Sequence, residues 1–510
     1  MLDDGGEADL DLGNYERFLD ITLHKDNNIT TGKIYQHVLE KERKGDYLGK
    51  TVQVVPHITD AVQDWIERVA HVPVDGSDQV PEVCVIELGG TVGDIESAPF
   101  IEALRQFHFR VGYENMCVVH VSYVPVLGVV GEQKTKPTQH SVQTLRSLGL
   151  HPTLLCCRAE NRLEDSVRDK LAMFCQVPST NVLTMHNVSN IWHVPLIMSQ
   201  QSAHHTILES LNLTPHRTMD LTNFRQLATK WDTLTEEVSI AMVGKYTELS
   251  DAYLSVIKAL QHASMAANRK LVIRWIEAAM LEDAHRTEDS AAYDKAWTDL
   301  RTADGILVPG GFGNRGVEGK ILAAKFAREN ERPYLGICLG MQIAVIEFAR
   351  NVMGMEDANS TEINPATPHP VVVFMPEGST THMGGTMRLG SRRTLFHSMD
   401  CISARLYQSE RHVDERHRHR YEVNPDLVPQ LEEAGLRFVG RDETGQRMEI
   451  IELRNHRYFV AAQFHPEFKS RPFKPSPLFL GLVLAASGQL NTHYSSSTPS
   501  SPLKTTRPIN

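Results

Sequence analysis

The chain has 510 residues, 41% of them hydrophobic and 23% charged, an ordinary globular composition at a length too great for one core, so two large domains are expected. Its formal net charge of −11 argues against general affinity for nucleic acid or anionic membranes, and no apolar run reaches the roughly 20 residues that cross a bilayer. The acidic, glycine-rich residues 1–7 are the reverse of a signal peptide, and seven cysteines without metal-ligand spacing point to a reducing compartment, so a cytoplasmic location is expected.

Residues 1–218 alternate strand-like and helical runs. Segments 81–87, 116–121 and 153–157 read as buried parallel strands and 97–107 as a helix between them, which predicts a doubly wound α/β layer. The first of these strands runs into Glu87-Leu88-Gly89-Gly90-Thr91-Val92-Gly93-Asp94-Ile95-Glu96-Ser97, a glycine-rich turn with three carboxylates suited to Mg²⁺ and to the hydroxyls of a nucleotide. Further on, Gly131-Glu132-Gln133-Lys134-Thr135-Lys136-Pro137-Thr138-Gln139 places two lysines, hydroxyls and a glutamine on a loop entering a helix, a suitable cradle for a triphosphate. Either stretch alone also reads as a polar loop over a sheet.

A polar connector with a short helical segment spans about 220–237, and a second α/β series follows it. Strands are expected at 239–244, 271–275 and 305–309, with a helix at 251–267 presenting Tyr253, Val256, Ile257 and Leu260 on one face. Gly310-Gly311-Phe312-Gly313 follows the last of these strands and can aim backbone N–H groups at an oxyanion. The same loop spells G-x-G-x-x-G from Gly311 to Gly316, but the next strand ends at Gly336 with no acidic residue for a ribose, which disfavours a dinucleotide.

Gly336-Ile337-Cys338-Leu339-Gly340 then puts a cysteine at the tip of a strand-to-helix turn, a nucleophile elbow with Cys in place of Ser at a helix N-terminus that favours thiolate. Gln463-Phe464-His465-Pro466-Glu467 supplies a general base and a carboxylate to orient it. Between them lies Glu415-Arg416-His417-Arg418-His419-Arg420-Tyr421-Glu422. It reads as a solvated charge run, or as a site in which the Arg420 guanidinium forks onto a carboxylate; no Cys or Asp stands among its histidines to favour a metal. The final segment, 491–510, is rich in Ser, Thr and Pro and is expected to be disordered, with Thr498-Pro499 and Ser501-Pro502 resembling proline-directed phosphorylation sites.

The glycine loop, the Cys338 elbow and His465-Pro466-Glu467 resemble the class I glutamine amidotransferases. That resemblance implies attack of Cys338 on the side-chain amide of glutamine, with His465 moving the proton and Glu467 holding the imidazole. Gly311, Phe312 and Leu339 would serve the oxyanion and the substrate, Arg420 would pair with the α-carboxylate, Glu362 would face the α-amino group, and Gln342 would line the pocket.

With residues 3–13, 28–32 and 47–59 added, the chain from Asp3 to about Leu490 resembles the CTP synthase family. The resemblance implies an α/β protein of two doubly wound domains: a P-loop-type synthetase domain at 1–218 without its first strand, a linker at 219–237, and a flavodoxin-like class I glutaminase domain at 238–490. It further implies that ATP phosphorylates O4 of UTP and that ammonia from glutamine displaces the phosphate to give CTP. Asp11 and Glu87 would hold Mg²⁺ on ATP. Asp94, Ile95, Glu96, Lys134, Thr135, Lys136, Gln139 and Lys170 would bind UTP, or CTP as feedback inhibitor. GTP is implied as an allosteric activator, and a homotetramer able to stack into filaments as the assembly.

One departure is at the front, where the family carries a strand and a phosphate loop before the segment that opens here. No G-x-x-x-x-G-K-[ST] occurs in the 510 residues; Gly45-Asp46-Tyr47-Leu48-Gly49-Lys50-Thr51 is one residue short between its glycines. A chain of these residues alone is therefore expected to be poor at the ATP-dependent step. Three alternatives stay open: a coding sequence that starts further upstream, a short form competent only as a glutaminase, or a non-catalytic subunit that regulates full-length chains.

Overall fold

The computed structural model describes residues 1–128, 131–215, 218–247, 250–376 and 387–496. Two compact units result, one made of residues 26–233 and the other of residues 1–25 together with 234–510. The first 25 residues thus pack with the C-terminal unit, whereas the sequence reading grouped them with the segment that follows. Glu16 is the reason: it sits on the helix Leu10–Leu19 and meets the guanidinium of Arg416 at 2.7 Å with both groups almost fully buried, a contact that hydropathy patterning does not reveal.

In the unit 26–233, strands Val119–Val124, Leu154–Ala159 and Val182–His186 form a parallel sheet with Leu154–Ala159 in the centre. Successive side chains of the central strand enter opposite layers. Leu155, Cys157 and Ala159 pack with Val142 and Leu171 of the helices Lys136–Ser147 and Asp165–Cys175, while Leu154 and Cys156 face Leu183, Met185 and Ala203. A separate layer is built from the helices Thr31–Lys44, Thr59–Ala70 and Ala98–Val111 around Ile34, Val62 and Ile101.

The strand expected at 81–87 does not form. No described strand pairs with that run, and Val83, Val85 and Ile86 are exposed; an extended segment becomes a strand only when a neighbour takes its N–H and C=O groups.

The other unit is organised around a nine-stranded sheet. Its parallel part runs Phe459–Ala462, Tyr334–Ile337, Gly305–Val308, Glu237–Gly244, Lys270–Glu277, and its antiparallel part runs His412–His419, Arg388–Phe396, Leu436–Asp442, Met448–Leu453 and back to Phe459–Ala462. The inner parallel strands Gly305–Val308 and Phe459–Ala462 are continuous apolar runs because both faces are covered. Ala241, Val243, Ile306 and Val308 pack under the helices Val317–Glu329 and Leu339–Asn351, and Ile240, Met242, Leu307 and Leu335 pack under Leu254–Ala266 and Pro477–Ala486.

The connector contains the helix Thr222–Thr233. At the far end, the helix Leu490–Ser496 occupies the start of the segment expected to be disordered, anchored by buried Leu490. Thr498-Pro499 and Ser501-Pro502 lie outside the described residues.

Candidate active site

Cys338 joins the strand Tyr334–Ile337 to the thirteen-residue helix Leu339–Asn351, as its N-cap. Its backbone sits at φ 52° and ψ −102°, a region that costs a side-chain-bearing residue about 1–3 kcal/mol and that its surroundings must enforce. They do so through close approach. A Cβ at Gly336 would lie 2.6 Å from the carbonyl oxygen of Gly340, and one at Gly340 would lie 2.1 Å from that of Val308. The Cys338 N–H donates to Ala462 at 2.7 Å, which ties the elbow to the strand leading to His465.

His465 is buried, and its Nδ1 lies 2.7 Å from Glu467 Oε1. Burial opposes charge on the imidazole, yet the carboxylate of Glu467 and the neighbouring Cys338 outweigh it and push His465 up to about 10. The His465 Nε2 has no hydrogen-bond partner of conventional geometry, while Cys338 lies near enough to raise the imidazole. Gly310 explains how the two fit together: a Cβ there would stand 2.7 Å from His465 Cε1 and 3.4 Å from Cys338 Cβ. Cys338, His465 and Glu467 are therefore gathered, with the 310–313 loop directly against them.

Other residues singled out in the sequence surround this centre. Leu339 packs beside Gly311, and the Phe312 carbonyl accepts from Lys245 Nζ. The Phe312 ring lies under the Arg418 guanidinium at 5.3 Å. Glu362 Oε1 accepts the Gly313 N–H at 3.3 Å, and both Glu362 and Arg420 act electrostatically on Tyr421. Gln342 is buried and already committed, donating to the Tyr421 carbonyl at 2.9 Å and to Gln463 Oε1 at 3.3 Å; Gln463 in turn donates to Cys338 Sγ at 3.6 Å.

Gln463 and Lys245 were missed by sequence reasoning, because neither carries a signal apart from its place in the fold. Also missed was a buried group behind the base, in which His417 Nδ1 lies 3.1 Å from His419 Nε2 and 3.6 Å from Glu449 Oε2. The two histidines in the charged run 415–422 were its only trace in the sequence.

In the other unit, Thr135 is the N-cap of the helix Lys136–Ser147 and accepts from Gln139 Nε2 at 3.0 Å. Lys134 pairs with Glu132 at 2.7 Å, Lys170 adds positive potential at the same Glu132, and Lys136 lies over the Phe174 ring. The turn bearing Asp94, Ile95 and Glu96 is held by Ser97 Oγ, which donates to the carbonyls of Thr91 and Asp94. That turn reaches the same helix, since a Cβ at Gly93 would stand 3.1 Å from Thr144. Ile95 is 84% exposed. Asp11 and Glu87 fall in different units.

Two family descriptions match in series: CTP synthase N-terminus over residues 1–213 and glutamine amidotransferase class-I over residues 248–485. The CTP synthase of Dictyostelium discoideum is 60% identical over 505 residues, covering 95% of this chain and 88% of the relative. CTP synthase 1 of Homo sapiens is 58% identical over 496 residues, covering 97% and 84%. Among solved structures, the Trypanosoma brucei CTPS glutaminase domain with bound acivicin is 42% identical, covering 49% of this chain and 94% of that one, with a TM-score of 0.46.

Proposed function

The chain belongs to the CTP synthase family, and from that membership we propose that Cys338, His465 and Glu467 form the glutaminase triad of a glutamine-hydrolysing ligase. The family reaction is the ATP-dependent conversion of UTP to CTP with nitrogen from glutamine. The observation that carries the residue assignment is the convergence of a strained Cys338 and a charge-stabilised His465 on either side of Gly310.

In this reading the Cys338 thiolate attacks the side-chain carbonyl carbon of glutamine, and N–H groups of the 310–313 loop receive the developing oxyanion. Protonated His465 gives its proton to the departing nitrogen, so ammonia leaves and a thioester remains. Neutral His465 then takes a proton from water as it attacks; the C–S bond breaks, the thiol is regenerated and glutamate departs. Arg420 forks onto the α-carboxylate and Glu362 receives the α-ammonium, with Gly311, Phe312 and Leu339 shaping the pocket. Gln342 acts one step removed, by orienting Gln463 against the sulfur.

For the synthetase half, Lys134, Thr135, Lys136, Gln139 and Lys170 would take the phosphates of UTP, or of CTP as feedback inhibitor, while Asp94, Ile95 and Glu96 meet the nucleoside. Asp11 and Glu87 each carry the hard oxygen donors that Mg²⁺ takes, but they belong to different units, so no shared ion site is proposed for them. GTP activation, a homotetramer with filaments, and a cytoplasmic location complete the proposal; seven free thiols support the last.

Glutamate release from glutamine by the 510-residue chain tests the triad. Cys338→Ala is expected to abolish it, and turnover surviving in that variant would remove the assignment. The amination step is tested separately, by CTP formation from UTP, ATP and ammonium. CTP formation there supports the ligase reading, and its absence beside glutamine hydrolysis would leave the glutaminase reading standing alone.

A further inference from the structure

Residues 1–25 fall within the stretch that matches the CTP synthase N-terminus, yet they fold onto the glutaminase unit. Their landing place is the strand His412–His419, on two alternate residues. Arg416 Nη1 and Nη2 donate to the two carboxylate oxygens of Glu16 at 2.7 and 2.9 Å, Nη1 also donates to the Met1 carbonyl at 3.0 Å, and Nε donates to Asp3. Two positions on, Arg418 pairs with Glu7 at 2.9 Å while its other face covers Phe312 of the oxyanion loop.

The backbone of these same two residues touches the reacting groups. The Arg416 carbonyl accepts the His465 N–H at 2.8 Å, and the Arg418 carbonyl lies 3.8 Å from Cys338 Sγ. Glu16 is itself fixed, because its Oε1 also accepts the Leu23 N–H at 2.9 Å. Asp3 adds a backbone tie, its carbonyl accepting the Ser391 N–H of the neighbouring strand at 2.8 Å.

We propose that Glu16 and Arg416 are positioning residues for the glutaminase: the N-terminal segment clamps the strand His412–His419 so that its carbonyls hold His465 in line with Cys338. The inference rests on the triad reading above. It assigns to residues outside the glutamine amidotransferase stretch a part in positioning that triad. Of its contacts the Glu16–Arg416 fork decides the effect. The Glu7–Arg418 pair is about half exposed and contributes little, whereas a buried bidentate pair fixes geometry.

The experiment is steady-state glutamine hydrolysis by the full 510-residue chain and by Glu16→Gln, Glu16→Asp and Arg416→Lys, with thermal melts confirming the fold at assay temperature. Wild type must hydrolyse glutamine and Cys338→Ala must not; failure there would sink the triad reading and is distinct from failure here. Glu16→Gln is expected to lower kcat about tenfold or more while the KM for glutamine stays within about twofold, because the substrate pocket is untouched. Glu16→Asp keeps the charge and is expected to recover part of kcat. Arg416→Lys keeps charge but loses the fork and is expected to behave like Glu16→Gln. A folded Glu16→Gln with kcat within about twofold of wild type, or with its loss carried wholly by KM, overturns the proposal. Should Glu16→Gln not fold, a folded Glu16→Asp with wild-type kcat overturns it equally.

Discussion

Gly310 is the smallest group at the site and among the most constrained. Its position beside His465 Cε1 and Cys338 Cβ means that Gly310→Ala adds one methyl group where the two side chains of the proposed triad would meet. The base has to move by about 1 Å, and displacements of that size cost about a hundredfold in rate. Gly310→Ala is therefore expected to lower glutaminase kcat by about that factor with little change in melting temperature, measured by glutamate release and calorimetry. Cys338, His465 and Glu467 could be singled out in the sequence as candidates because each motif is local: a cysteine in a turn between two glycines, and a histidine two residues from a carboxylate. Gln463, Lys245 and Arg416 were not, since their partners lie 125, 67 and 400 residues away. A tie of that kind exists only once the sheet has formed.

Elements were legible wherever burial on two faces leaves a continuous apolar run, as at Glu237–Gly244 and Gly305–Val308. The same rule failed at 81–87, where composition promised a strand and no described neighbour completes one. On the strand Met448–Leu453, sequence patterning also hides a buried acid. Burial pushes the Glu449 carboxyl up to about 8 from its usual 4.5, with Arg388 at 3.3 Å opposing the shift. Between those two values the folded chain keeps a proton that the unfolded chain has lost, so this group's contribution to stability falls as pH rises through the window. Glu449→Gln, which cannot ionise, is expected to reduce the drop in melting temperature between about pH 5 and pH 8 by about 2 °C or more, whereas an unchanged pH dependence would remove Glu449 as its source.

At the scale of the molecule, chain order and spatial order part company at residue 25. Residues 1–25 lie in the stretch that matches the CTP synthase N-terminus, and Glu16 and Asp3 among them pair with the buried Arg416. Breaking such a pair from one side leaves an uncompensated charge in the interior and costs about 3–5 kcal/mol. Glu16→Ala is expected to destabilise the unit containing residues 234–496 by that amount in denaturant unfolding, and a change below about 1 kcal/mol would show the pair to be solvated. The division into two halves was foreseen from length and from the polar connector; the crossing of the first segment was not, because ion pairing over hundreds of residues leaves no periodic trace. The whole account turns on one thiol among seven. Reaction of the folded chain with an electrophilic glutamine analogue, followed by peptide mass mapping, is predicted to modify Cys338 alone and to be slowed by added glutamine; a chain that hydrolyses glutamine with Cys338 unmodified, or that is labelled equally at Cys84 or Cys401, would contradict it.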